Sequence, residues 1–134
     1  MADLRGKRIL VIGGETPVGR PVAVGLAEAG ADIAIASLSN DTKAEFTINS
    51  ALNELWALGR RGVALAIDAS DAAQLRDAVA RAEAELGPID AIVLIAEDIG
   101  AAGARAALPD RQVLAVAPEA DPVAALPEVI EALS

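Results

Sequence analysis

Immediately after the apolar run Arg8 to Ile12 stands Gly13-Gly14-Glu15-Thr16-Pro17-Val18-Gly19, a glycine-bearing turn that leads into a helical pattern. Backbone amides converging at such a helix start can hold the pyrophosphate of a dinucleotide. The same residues also serve as a tight strand-to-helix connection, with Gly19 letting the helix approach the sheet. Other polar groups that follow apolar runs are Ser37, Asp68 and the pair Glu97-Asp98. The chain has no tyrosine, histidine or cysteine, and its only lysines are Lys7 and Lys43. General acid–base chemistry is therefore limited to carboxylates and hydroxyls. Neither thiolate nor imidazole is available to ligate, which removes the common zinc sites, and no metal is expected.

The elements that must position these groups follow from composition and periodicity. Of 134 residues, 54% are hydrophobic, and Phe46 and Trp56 are the only aromatics. A core of small aliphatic side chains suits helices laid on a parallel sheet, and the length suits a single domain, residues 1–134. A net charge of −9 excludes a counterion-displacing basic stripe, so no nucleic-acid partner is expected. Met1 to Lys7 lacks the apolar core of a secretory signal, and no apolar run reaches membrane-span length. The expectation is a cytoplasmic protein with no membrane partner.

Five runs read as buried strands: Arg8 to Ile12, Asp32 to Ala36, Val63 to Ile67, Ala91 to Ile95 and Val113 to Ala117. Between Asp71 and Leu86, Leu75, Val79, Ala82 and Leu86 recur at helical spacing, with Ser70 or Asp71 as the cap, Asp71 and Gln74 resembling a capping box, and Gly87-Pro88 as the stop. Asp41 to Leu58 predicts another helix, with Ile48, Leu52, Leu55 and Trp56 near one face. A third helix is expected from near Pro17, a residue well suited to a first helical position, to just before Gly30. Gly100 to Leu108 is a short helix or a loop. Asp121 to Ser134 predicts a terminal helix that either starts near Pro127 or breaks there, because proline cannot donate to the helical ladder. Alternating strands and helices imply right-handed crossovers. The fold class predicted is α/β, a three-layer, doubly wound, Rossmann-like parallel sheet in the order 3-2-1-4-5.

Four segments in order resemble the short-chain dehydrogenase/reductase family. Gly13-x-x-x-Pro17-Val18-Gly19 is similar to its TGxxxGxG turn, and Gly30-Ala31-Asp32-Ile33-Ala34-Ile35 to its second strand. Asp68-Ala69-Ser70-Asp71 resembles the aspartate turn that contacts adenine, and Gly87-Pro88-Ile89-Asp90 the lead into the fourth strand. The resemblance covers roughly residues 7–96 and implies NAD or NADP as cofactor. It implies that Gly13, Thr16, Val18 and Gly19 face the phosphates, Asp68 and Ala69 the adenine, and Ala96 the nicotinamide-side ribose. Ser37, at the end of the second strand where cofactor choice is normally read, is the candidate for the other ribose.

The pattern departs at chemically important positions. Ile12 replaces a threonine, Pro17 replaces a glycine and removes an amide donor, and Glu15 places negative charge beside the expected phosphates unless it turns to solvent. The turn after the fourth strand keeps only Ala96, without the family's asparagine, and its serine and Tyr-x-x-x-Lys have no counterpart. About 18 residues separate the fourth and fifth strands, too few for the family's long helix. Glu97 and Asp98 read as a solvated turn in preference to a substitute acid. Three functions are compatible with this pattern. One is a non-catalytic nucleotide-binding module of this family; the others are an interaction protein without nucleotide and an oxidoreductase completed by a protein partner. An exposed fifth-strand edge leads to the expectation of a homo-oligomer, a dimer.

Overall fold

The computed structural model describes residues 3–134. Five strands alternate with five helices: β1 Arg8–Ile12, α1 Gly19–Glu28, β2 Asp32–Ala36, α2 Thr42–Ala57, β3 Gly62–Leu65, α3 Ala72–Leu86, β4 Ala91–Ile95, α4 Asp98–Ala107, β5 Val113–Val116 and α5 Pro122–Leu133. All pairings are parallel, in the order β3-β2-β1-β4-β5. This is the doubly wound α/β sheet expected from the sequence.

The strands read as continuous apolar runs because both faces are covered. Ile9, Val11, Ile33, Ile35, Val93 and Ile95 point into one core with α1, α2 and α5. Leu10, Ile12, Ala34, Ala36, Ile92 and Leu94 point into the other with α3 and α4. Burying each large aliphatic side chain contributes about 1.5–3 kcal/mol relative to leaving it exposed. The period-two alternation along β1 thus holds both helical layers on one strand.

Several element ends differ from the sequence reading. β3 stops at Leu65 instead of Ile67 because the Ser37 hydroxyl takes over from the ladder, donating to the Ile67 carbonyl and accepting from its N–H. β5 ends one residue early, at Val116. α1 begins at Gly19, which leaves Pro17 in the turn before the helix and not at its first position. Trp56 is 53% exposed while Ile48, Leu52 and Leu55 are buried; one step of about 100° from Leu55 carries the indole off the inner face. Gly100 to Leu108 resolves in favour of a helix, α4. α5 is one helix running through Pro127. The carbonyl that loses its partner belongs to Val123, which is 80% exposed, so water can replace the missing donor.

Helix starts follow the expected chemistry more closely. Asp41 accepts from the Ala44 N–H, and Asp71 accepts from those of Ala73 and Gln74, each satisfying a first-turn donor. The Gln74 side-chain Oε1 reaches beyond the cap and accepts from the Asp68 N–H at 2.8 Å, tying α3 to the segment after β3.

At the opposite edge, Arg111 grips Glu83 through two nitrogens at 2.9 and 3.0 Å, and Glu83 also accepts from the Ile89 N–H at 2.9 Å. The Arg111 hydrogen bonds, and then that of Ile89, hold the Glu83 carboxyl below its ordinary 4.5. A depressed folded-state pKa contributes stability that is complete above the unfolded value and is lost as pH falls through the folded one. Urea midpoints of Glu83→Gln and the parent are therefore expected to differ at pH 7 and to converge below pH 4.5. A pH-independent difference would remove this pair from the acid sensitivity of the fold.

Candidate functional site

The polar groups singled out in the sequence lie at the carboxyl ends of β1 to β4, the edge at which open parallel sheets take ligands. The order reverses at β1, which has β2 on one side and β4 on the other. Gly13 occupies this switch point. Its φ of +103° favours glycine, and a Cβ there would fall 2.7 Å from the Ile95 Cβ of β4. Its N–H donates to the Ala36 carbonyl at 2.8 Å, so the turn is anchored to β2 and pressed against β4.

Thr16 closes the turn. Its hydroxyl donates to the Gly13 carbonyl at 2.7 Å and accepts from the Gly19 N–H at 2.8 Å. The Arg20 N–H donates to the Thr16 carbonyl, and Pro21 has no N–H to offer. The first-turn donors of α1 are thus satisfied within the turn or absent. Among the described residues, no group accepts from the N–H of Glu15 or Val18, and these two remain for an incoming anion. The Val18 side chain is 3% exposed and belongs to the core, so only its backbone faces the site.

Ser37 does not offer a ribose its hydroxyl. It is fully buried, and the two hydrogen bonds to Ile67 described above hold that hydroxyl in the sheet. This corrects the sequence expectation: the residue lies at the right strand end, but its side chain points inward. The group that does reach this place is one the sequence reading sent elsewhere. Glu15 turns neither to the phosphate position nor freely to solvent. Its carboxylate accepts from the Leu38 N–H at 2.8 Å and 3.2 Å and from the Ser39 N–H at 3.4 Å. The signal that finds it is register. Ile12 pairs with Ala36, which carries residue 15 to the level of residue 39.

Asp68 and Ala69 follow β3, both partly buried. Asp68 Oδ1 accepts from the Ser70 hydroxyl at 2.6 Å and its N–H at 3.0 Å, which together hold the carboxyl below its ordinary value. Oδ2 accepts from no described group. The Ala69 N–H donates to the Leu38 carbonyl at 2.9 Å, joining this turn to the end of β2. Ala96 follows β4, its N–H donating to the Val116 carbonyl. Glu97 and Asp98 are exposed at the start of α4, where a negative charge is favourable. A groove of about 240 Å³ runs beside Ala69 and Ser70 toward Gly100 and Gly103 of α4. A wider groove, about 730 Å³, lies at the far end of α1 against α5, lined by Gly25, Leu126 and Ile130, away from the carboxyl ends of the strands.

A glycine turn at the switch point of a 3-2-1-4-5 sheet, with an aspartate after β3 and amides open beside β1, defines a Rossmann-type domain. The model of the short chain dehydrogenase family matches residues 7–126, and the chain belongs to that family. It is 39% identical over 93 residues to an L-rhamnose 1-dehydrogenase (NAD(P)(+)) from a Sphingomonas strain, a match covering 69% of this chain and 35% of the enzyme. It is 35% identical over 91 residues to a 2-dehydro-3-deoxy-D-gluconate 5-dehydrogenase from Dickeya dadantii, covering 68% of this chain and 33% of that enzyme. The chain thus spans about a third of the length of the curated relatives it matches. A short-chain type dehydrogenase/reductase from Mycobacterium marinum superimposes with a TM-score of 0.60 at 32% identity, over 68% of this chain and 35% of that one. A blue fluorescent protein from a metagenomic library, solved in complex with NADPH, superimposes with a TM-score of 0.70 at 26% identity, over 84% of this chain and 56% of that one.

Proposed function

We propose that this chain is a dinucleotide-binding domain that does not itself perform the hydride transfer of its family. The observation that carries this reading is the convergence of Gly13, the open N–H groups of Glu15 and Val18, Asp68 and Ala96 on one end of the sheet around its switch point. Phosphates would take the two amides beside Gly13, Thr16 and Gly19. The adenine would lie against Asp68 and Ala69, with Asp68 Oδ2 accepting from its amino group, and the nicotinamide-side ribose would lie near Ala96. Support comes from the nicotinamide cofactor in the rhamnose dehydrogenase's name and the NADPH in the metagenomic relative.

The non-catalytic part of the reading rests on side-chain chemistry. Reduction of a carbonyl needs a positioned proton donor. This chain has no tyrosine or histidine, and the acids nearest the end of β4, Glu97 and Asp98, stand in solvent and, among the described residues, have no hydrogen-bonded side-chain partner to complete a catalytic set.

The test is calorimetric titration of the nucleotide-free protein with NAD, NADH, NADP and NADPH. Micromolar binding of at least one is the expected result. Binding by none of them tighter than millimolar, worth about 4 kcal/mol, would overturn the reading. A second reading, an interaction domain without nucleotide, is favoured by one observation: the Thr16 hydroxyl occupies the Gly19 N–H, and Pro17 has none. That reading expects no heat from any of the four.

A further inference from the structure

We infer that Glu15 makes this site selective for a dinucleotide with an unmodified adenosine ribose, NAD(H), and turns away the 2′-phosphate of NADP(H). The inference rests on the dinucleotide-binding reading above and assigns its specificity to a residue of the glycine turn.

In Rossmann domains an acidic side chain at the end of the second strand accepts from the ribose hydroxyls, whereas a nearby arginine accommodates a 2′-phosphate. Here neither Ser37, buried and bonded to Ile67, nor Leu38 can carry that charge. Glu15 delivers a carboxylate to the same strand end from the neighbouring turn. It is fastened to the Leu38 N–H at 2.8 Å and lies 3.4 Å from that of Ser39.

The consequence follows from donor and acceptor inventory. An ionised carboxylate only accepts, as does a phosphate oxygen, while a ribose hydroxyl can donate. A 2′-phosphate arriving here finds the strand-end amides already occupied by an anion. The cation of this segment, Lys43 on the first turn of α2, is offset by the neighbouring Asp41 carboxylate, whose pKa is lowered by the Ala44 N–H, the Ser39 hydroxyl and, to a lesser extent, Lys43. Leu38 to Thr42 contains neither arginine nor lysine. The Asp41 carboxylate lies alongside, accepting from the Ser39 hydroxyl at 2.8 Å. Arg20, on the first turn of α1, is directed away to Glu54 and Ser50. Like charges brought within a few ångströms at a partly buried site repel.

The experiment compares NADH and NADPH by calorimetric titration on the parent protein, Glu15→Gln and Glu15→Ala, with circular dichroism confirming that each variant folds. The parent is expected to bind NADH at least about tenfold more tightly than NADPH, a difference of about 1.4 kcal/mol. Glu15→Gln keeps a carbonyl for the Leu38 N–H and removes the charge. It is expected to bring the ratio to within about threefold of unity, chiefly by tightening NADPH, and Glu15→Ala should shift it in the same direction. Equal binding by the parent, a preference for NADPH, or a ratio unchanged in both variants would overturn the assignment while leaving the nucleotide site standing. Binding of neither cofactor by the parent would overturn the nucleotide reading and the assignment with it.

Discussion

Gly19→Ala is expected to lower the unfolding free energy by about 3 kcal/mol or more, the largest effect of any single methyl addition considered in this chain. The new Cβ would overlap the Gly13 carbonyl oxygen and come within 2.7 Å of the Gly13 carbonyl carbon and 2.8 Å of Thr16 Oγ1. A flexible side chain could swing aside, but a carbonyl in a turn cannot. Gly13 is held by its N–H bond to Ala36 and by the Thr16 hydroxyl. Relief therefore means breaking the Thr16 clasp and moving α1 off the sheet. Urea unfolding followed by far-ultraviolet circular dichroism reads the loss directly. A midpoint unchanged from the parent would mean that the turn is far softer than its hydrogen bonding indicates. On the dinucleotide-binding reading proposed above, the same variant should also abolish binding, because the Val18 and Glu15 amides are positioned by this turn.

The second large effect is a coupled one. Ile35→Ala, one residue from the end of β2, is expected to cost about 2–5 kcal/mol, as the loss of a fully buried branched side chain leaves a cavity. Gly14→Ala alone is expected to cost about 1–3 kcal/mol, because its Cβ would run into the Cγ1 and Cδ1 atoms of Ile35. Its backbone is not in the left-handed region, so the penalty is purely steric. With both changes present, the atoms that clash are gone and the remaining Cβ of residue 35 lies 3.7 Å away, an ordinary contact. The double variant is therefore expected to be more stable than the sum of the single effects by at least about 1 kcal/mol. A double-mutant cycle in urea measures the coupling. Strict additivity would show that Gly14 and Ile35 do not meet as the fold places them.

These two tests bear on function as well as stability. Gly13, Gly14 and Gly19 each oppose a different neighbour: β4 at Ile95, β2 at Ile35, and the turn's own carbonyl. A turn packed this closely holds its two open amides in place without a ligand. It also accounts for how the structure accommodates Pro17 where the family pattern has glycine. Pro17 is exposed in the turn before α1, so its ring faces solvent and not a strand.

The sequence by itself marked the five strands and the three helices that follow β1, β2 and β3, because these rest on signals local in the chain, whereas Gly100 to Leu108 and the path through Pro127 were settled as helices only in the fold. Apolar runs such as Ala91 to Ile95, the spacing of Leu75, Val79, Ala82 and Leu86, and the Asp71 cap act within a few residues of each other. Chirality then restricts how such units can be wound. The sequence also located the edge that carries the candidate site, because the glycine turn, Asp68 and Ala96 each closely follow a strand. Where side chains point was decided by tertiary structure alone. Ser37 lies at the strand end that the pattern indicated, yet parallel pairing of β2 with β3 brings Ile67 within hydrogen-bonding distance of its hydroxyl and buries it. Glu15 lies 23 residues from Leu38 in the chain. The two meet because the register of β1 on β2 sets Ile12 beside Ala36. Side-chain chemistry is written residue by residue, but which polar group meets an apolar neighbour, a backbone amide or water is settled only when strands from distant parts of the chain align.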